Sequence, residues 1–120
     1  MNNKKSKIKK IDKDTLESLT RYTFPQILFR QAEKLGSDHT AIREKAYGIW
    51  QAYNWRDYLR YTKLVSLGLI SIGLRRRDNV GLILDNHPEW LFSELGAQAA
   101  GAVTIDLYWA MLKEQEHGLK

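Results

Sequence analysis

Cysteine is absent from the 120 residues. That excludes disulfides, thiolate metal sites and cysteine nucleophiles together, and it suits a reducing compartment. No apolar run reaches the roughly 18 residues that a membrane helix needs. No apolar stretch follows the lysine-rich start closely enough to make a secretory signal. The expectation is a cytoplasmic protein. Nucleotide-binding signatures are missing too. No G-x-G-x-x-G occurs. Gly68 to Gly73 and Gly96 to Gly101 have the outer spacing of a phosphate loop, but no Lys-Ser/Thr follows either pair. Both pairs fall near helix ends rather than between a strand and a helix, where backbone amides would cradle a phosphate. No G-x-S-x-G elbow exists, and Ser66, Ser71 and Ser93 fall within helical patterns. His39, His87 and His117 have no partner at metal-ligand spacing. The sequence therefore names no catalytic, cofactor-binding or metal-ligating residue.

Hydrophobic residues make up 43%, charged residues 28% and aromatics 11%, an ordinary globular balance. The net charge of +5 is unevenly placed. Residues 1–22 carry seven basic and three acidic side chains, and the remainder twelve and eleven. A nucleic-acid face needs cations on a folded surface with aromatics between them. Here Lys4, Lys5, Lys7, Lys9 and Lys10 precede the first aromatic, Tyr22. Residues 1–22 read as a basic, disordered leader, with a turn of helix over Thr15–Leu19 and a weak peripheral contact with anionic lipid through those lysines as its alternative role. No nucleic acid is expected as partner.

From residue 23 the pattern changes. Thr23-Phe24-Pro25 is a helix start, an apolar stripe through Ile27, Leu28, Ala32 and Leu35 follows, and Gly36 stops it. Thr40–Lys45 and Ile49–Tyr53 read as a hairpin with a loop of three or four residues. Asn54 caps a helix running to Leu74, whose apolar positions include Tyr58, Tyr61, Thr62, Val65, Leu69 and Ile72. Val80–Leu84 is an unbroken apolar run, the mark of a strand buried on both faces. Pro88 starts a helix to about residue 100, with Trp90, Leu91, Leu95 and Gln98 along one face. Ala102–Asp106 is the next strand, and Met111–Leu119 another short helix. Trp50, Tyr53, Trp55, Tyr58 and Tyr61 read as core and seam, with a ligand platform as the alternative.

Strand, helix and strand over 80–106 make a βαβ unit, which implies a parallel sheet. Two parallel strands are few for a sheet covered on both sides, so low stability of the chain alone is expected. His87 sits after the first of these strands, at the edge where open α/β sheets place their sites. Asp85, Asn86 and Glu89 share that edge. The simpler reading is that Asp85 and Asn86 shape the turn while Glu89 favours the helix N-terminus.

Taken together the segments resemble a known family. Thr23-Phe24-Pro25-Gln26-Ile27-Leu28 is followed by Ile42-Arg43-Glu44-Lys45, Gly48-Ile49-Trp50-Gln51 and Tyr53-Asn54-Trp55. Gly73-Leu74-Arg75 and Asp78-Asn79-Val80 come next. Asp85-Asn86-His87-Pro88-Glu89-Trp90 then leads into Glu94-Leu95-Gly96-Ala97-Gln98-Ala99-Ala100-Gly101-Ala102-Val103. Over residues 22–119 this run is similar to the N-terminal region of AMP-dependent synthetases, the adenylate-forming ligases, closest to bacterial long-chain fatty-acid–CoA ligases.

The resemblance implies an α/β fold. Residues 23–120 would be an incomplete N-terminal part of the large adenylate-forming domain, with an N-terminal hairpin and a βαβ unit of its parallel sheet. It implies ATP, Mg²⁺ and coenzyme A as the family's cofactors, none bound by this chain. The family's phosphate loop, ribose-binding aspartate and catalytic lysine match no position here, so no catalytic residue carries over. Asp106, Trp109-Ala110 and Gly118 depart from the family pattern. An interrupted or excerpted product is expected, inactive alone, whose partner is the remainder of the enzyme or a complementing chain. A non-catalytic module docking on a partner chain is the alternative.

Overall fold

A computed structural model describes residues 12–107. The lysines of the leader before residue 12 and the expected helix at 111–119 lie outside the described residues. The element order is α1 (Lys13–Leu19), α2 (Phe24–Leu35), β1 (Thr40–Ala46), β2 (Ile49–Asn54), α3 (Trp55–Ser71), β3 (Asn79–Ile83), α4 (Pro88–Ala99) and β4 (Val103–Leu107). α1 is longer than the turn expected at 15–19, because the Asp12 carboxylate accepts from the Thr15 N–H and closes its first turn.

The helix starts follow from local chemistry. The Thr23 N–H donates to Gln26 Oε1 at 2.9 Å, and Thr23 Oγ1 accepts from the Gln26 N–H at 3.4 Å. The Asn54 N–H donates to Asp57 Oδ2 at 3.1 Å, and Asn54 Oδ1 accepts from the Asp57 N–H at 2.7 Å. Both are reciprocal capping boxes, each satisfying two amides that the helix leaves without partners. α3 ends three residues before Leu74: Ile72 is its cap and Gly73 turns with φ 104°.

β1 and β2 pair antiparallel, with Glu44 opposite Gln51, Lys45 opposite Trp50 and Ala46 opposite Ile49. Only Tyr47 and Gly48 join them, with φ of 52° and 78°. The loop is thus two residues, shorter than expected. A tight hairpin turn with both central residues left-handed matches the natural strand twist.

β3 and β4 pair parallel, with Gly81 opposite Ile105 and Ile83 opposite Leu107. The crossover is α4. The expected face of Trp90, Leu91, Leu95 and Gln98 is the packing face only in part: Leu95 packs against the core and Gln98 bonds Thr104. Pro88, Phe92, Gly96 and Ala97 are the buried residues, while Leu91 is exposed. Gly96 lies so close to α3 that a Cβ there would stand 2.8 Å from Val65 Cγ1. This close approach seats α4 against α3 on the side of Phe92 and Gly96.

The main core cluster is Leu28, Tyr58 and Phe92. Half-buried Ile42, Tyr53, Tyr61, Val65 and Leu95 pack around it. The aromatics therefore read mainly as core, though Trp50 is exposed. β3 is not buried on both faces: only Leu82 is buried and Ile83 is 48% exposed. Gln98 of α4 donates to Thr104 Oγ1, which puts α4 on the face shared by Leu82 and Thr104. On the other face Ile83, Val103, Ile105 and Leu107 are all exposed among the described residues. Among those residues, no helix is long and apolar enough to cross a membrane.

Candidate functional site

The loop after β3 turns tightly, with the His87 N–H donating to Asp85 O at 2.8 Å. His87 then takes the N-cap position of α4 without capping it. Its backbone is extended, as expected for a residue before proline. Its ring reaches the hairpin instead: Nδ1–H donates to Glu44 Oε1 at 2.6 Å. Glu44 is largely sheltered while His87 stays about half exposed. The contact ties the strand-end loop to β1 across 43 positions of sequence.

Glu89, on the first turn of α4, completes the group. One ligand atom each from Glu44, His87 and Glu89 lies within 4.8 Å of the others, the one such group among the described residues. The hydrogen bond from His87 to Glu44 raises the imidazole above its ordinary value; desolvation opposes it, and the Glu44, Glu89 and Asp85 charges add to the rise. Tyr53 borders the group. Desolvation first, then the Glu89 and Glu44 charges, push its phenol upward. Tyr58, beneath α4, is pushed by burial and by Glu94 up to about 12, so it stays neutral. Burial also raises Glu94, which Asp106 of β4 reinforces by its charge and the Trp90 indole partly offsets by donating to Oε2 at 3.3 Å.

This group is a latch in its present form. The 2.6 Å separation is that of a short hydrogen bond, charge-assisted when the imidazole is protonated. Sign follows from the direction of the shift. The folded-state pKa of His87 lies above its unfolded value, so the stabilisation is full below the unfolded value, near 6.5, and is lost as pH rises through the raised folded value. Glu44→Gln is expected to bring the His87 titration, followed by its ring-proton NMR signal, back down toward the ordinary range. A titration that stays raised would remove Glu44 as the cause.

Of the edge residues Asp85, Asn86, His87 and Glu89, the structure groups His87 and Glu89, with Glu44 as the member that sequence reasoning missed. His39 is elsewhere and its Nδ1 faces Leu35 O at 3.4 Å. His117 lies outside the described residues. Gly68 and Gly73 sit at the end of α3, and the Ser71 hydroxyl donates to Gly68 O at 2.6 Å. Ser66 is buried in α3.

Among the described residues, the edge after β3 does not offer a phosphate a cradle of donors. The β3-to-α4 edge carries Asp85 and Glu89 with Glu44 beside it, and Pro88 removes an amide from the helix start. A triphosphate would meet carboxylates there rather than donors. Separately, α2, α3 and α4 enclose an apolar cleft of about 500 Å³, lined by Phe24, Ile27, Trp55, Tyr58 and Leu91 with Glu94 at its side.

The profile of the AMP-binding enzyme family matches residues 28–117. The chain belongs to the AMP-binding enzyme family. It is 32% identical over 99 residues to the long-chain-fatty-acid–CoA ligase heimdall of Drosophila melanogaster, a match covering 79% of this chain and 14% of that protein. It is 33% identical over 87 residues to an uncharacterized protein of Mycobacterium tuberculosis, covering 72% of this chain and 49% of that one. In structure it is similar to the fatty acid AMP ligase of Legionella pneumophila, with a TM-score of 0.64 at 14% identity over 70% of this chain and 14% of that one. The fold is therefore that of the N-terminal region of an adenylate-forming ligase. The chain spans about one seventh of the ligase relatives and about half of the mycobacterial one.

Proposed function

We propose that this AMP-binding family chain is the opening part of a fatty-acid–CoA ligase and does no chemistry by itself. In the full reaction, ATP and a fatty acid would give an acyl-adenylate and pyrophosphate, and coenzyme A would then displace AMP. Negative charge builds on phosphate oxygens in the first step, so donors, Mg²⁺ and a lysine must converge there. The observation that carries the proposal is the acidic strand-to-helix edge of Asp85, Glu89 and Glu44, set in a fold of this family. Such an edge repels the phosphates on which that charge builds. The role left to the chain is scaffolding. Its second support is the exposed apolar face of Ile83, Val103, Ile105 and Leu107, which suits covering by the layers that a longer relative carries.

The test is acid-dependent exchange of pyrophosphate into ATP. The purified chain, supplied with a fatty acid and Mg²⁺, is expected to give none above the acid-free blank. Measurable exchange would overturn the proposal. A second reading, a non-catalytic module that docks on a separate partner chain, draws on the mycobacterial relative, which is itself only about twice the matched length.

A further inference from the structure

The hairpin tip breaks two local rules at one place. Tyr47 occupies a left-handed position, φ 52°, where Gly, Asn and Asp are the residues that fit without strain. It is also fully exposed, at 102% of the reference area. Its neighbours Ile49 and Trp50 are 69% and 66% exposed. The hairpin register sets Trp50 opposite Lys45 and Ile49 opposite Ala46, and neither pairing buries the apolar side chain.

The register gives the tip a particular shape. Arg43, Lys45, Trp50 and Ala52 share the outer face, since Lys45 lies opposite Trp50 and Arg43 opposite Ala52. Ile49 and Ala46 lie on the other face, and Tyr47 on the turn. The tip is therefore apolar on both sides. Glu44 is on the inner face and is held by His87. The outer face thus carries two cations and no carboxylate, and Lys45 Nζ stands 6.0 Å from the centre of the Trp50 ring. A flat protein partner would use one face of such a hairpin. A wedge with aromatics at its end and cations just behind fits a bilayer boundary, where Trp and Tyr settle among headgroups and Lys and Arg meet lipid phosphates.

We infer that the β1–β2 hairpin is an insertion tip for an anionic lipid surface, with Tyr47, Ile49 and Trp50 entering the headgroup boundary and Arg43 and Lys45 contacting lipid phosphates. This needs no catalytic activity and does not rest on the ligase reading.

The experiment is co-sedimentation of the whole chain with phosphatidylglycerol–phosphatidylcholine vesicles and with pure phosphatidylcholine vesicles. Binding to the anionic vesicles is expected. Tyr47→Ser, Ile49→Ser and Trp50→Ser together should lower the bound-to-free ratio about tenfold or more, and Arg43→Glu with Lys45→Glu should abolish the preference for anionic lipid. Leu64→Ser with Leu67→Ser, on an exposed stretch of α3, is the control and should leave partitioning unchanged. The inference is overturned if the whole chain ignores anionic vesicles, or if the α3 control falls as far as the hairpin variant. It is equally overturned if deleting residues 1–11 removes all binding while the hairpin variant keeps it. Self-association in sedimentation equilibrium that the hairpin variant abolishes, without vesicle binding, would make a second copy the occupant instead.

Discussion

Phe92→Ala is expected to be the most damaging single change in the chain. Phe92 is 5% exposed and is one of three residues in the main core cluster. Its ring stacks on Tyr61 at 5.0 Å between centres and meets Tyr53 and Tyr58 at 5.6 and 5.7 Å. It joins the hairpin, α3 and α4 at one point. Truncating a buried phenylalanine costs about 3–5 kcal/mol through lost transfer energy and the cavity left behind. A small domain holds about 5–15 kcal/mol in total. With so few buried side chains this one belongs at the low end, so the variant should be largely unfolded at room temperature. Phe92→Leu, which keeps most of the volume, should lose much less. The check is urea unfolding followed by circular dichroism, where an alanine variant with an unchanged midpoint would contradict the packing described.

Gly96→Val should follow closely, for the opposite reason. A Cβ at Gly96 would lie 2.8 and 2.9 Å from Val65 Cγ1 and Cβ, and 3.0 Å from the Thr62 carbonyl oxygen. None of these atoms is the free end of a flexible chain. Valine in a helix has one strongly preferred rotamer, and the carbonyl belongs to the helix backbone. α3 and α4 would have to separate, and overpacking of this kind typically costs about 1–3 kcal/mol. Alanine tests which effect wins at this position. It gains up to about 1 kcal/mol of helix propensity over glycine, yet it meets the same contacts, so a net loss is expected. Val65→Ala combined with Gly96→Ala should recover part of that loss, as expected for two residues in direct contact. Purely additive effects in the urea midpoints would show that the two positions do not touch.

Local signals made the helix starts and the hairpin legible. Thr23 with Gln26 and Asn54 with Asp57 are three-residue devices, and each closes within its own helix turn. The αβ order follows from the same kind of signal, and the family resemblance from the run of short segments. What depends on a distant neighbour was not legible. Along α4, Trp90 and Leu91 extend the apolar stripe of Leu95 as well as Phe92 does, and the inward turn of Phe92 goes with the close seat of Gly96 on Val65, a contact between helices. Glu44 sits in a strand of alternating polarity and looks like any surface carboxylate. Its partner His87 lies 43 residues away, and only the placement of the hairpin beside the strand-end loop joins them. The apolar run of β3 suggested burial on both faces. Apolarity records what a strand can bury, and among the described residues only α4 covers it.

A third feature was half visible. Tyr47 and Gly48 fall within the expected hairpin loop, but the two-residue loop requires a left-handed tyrosine, which sequence rules place there rarely. Where local preference fails without a contact to explain it, function is a reasonable place to look.

The central claim is that this family member scaffolds an adenylation reaction whose reactive groups reside on other polypeptide. The direct measurement is pyrophosphate exchange into ATP by a mixture of this chain with a second polypeptide that supplies the remaining part of a homologous fatty-acid–CoA ligase. The chain and the second polypeptide should each be silent, and the mixture should exchange only when fatty acid is present, with Gly96→Val suppressing the recovery. Exchange by this chain without its complement would contradict the account.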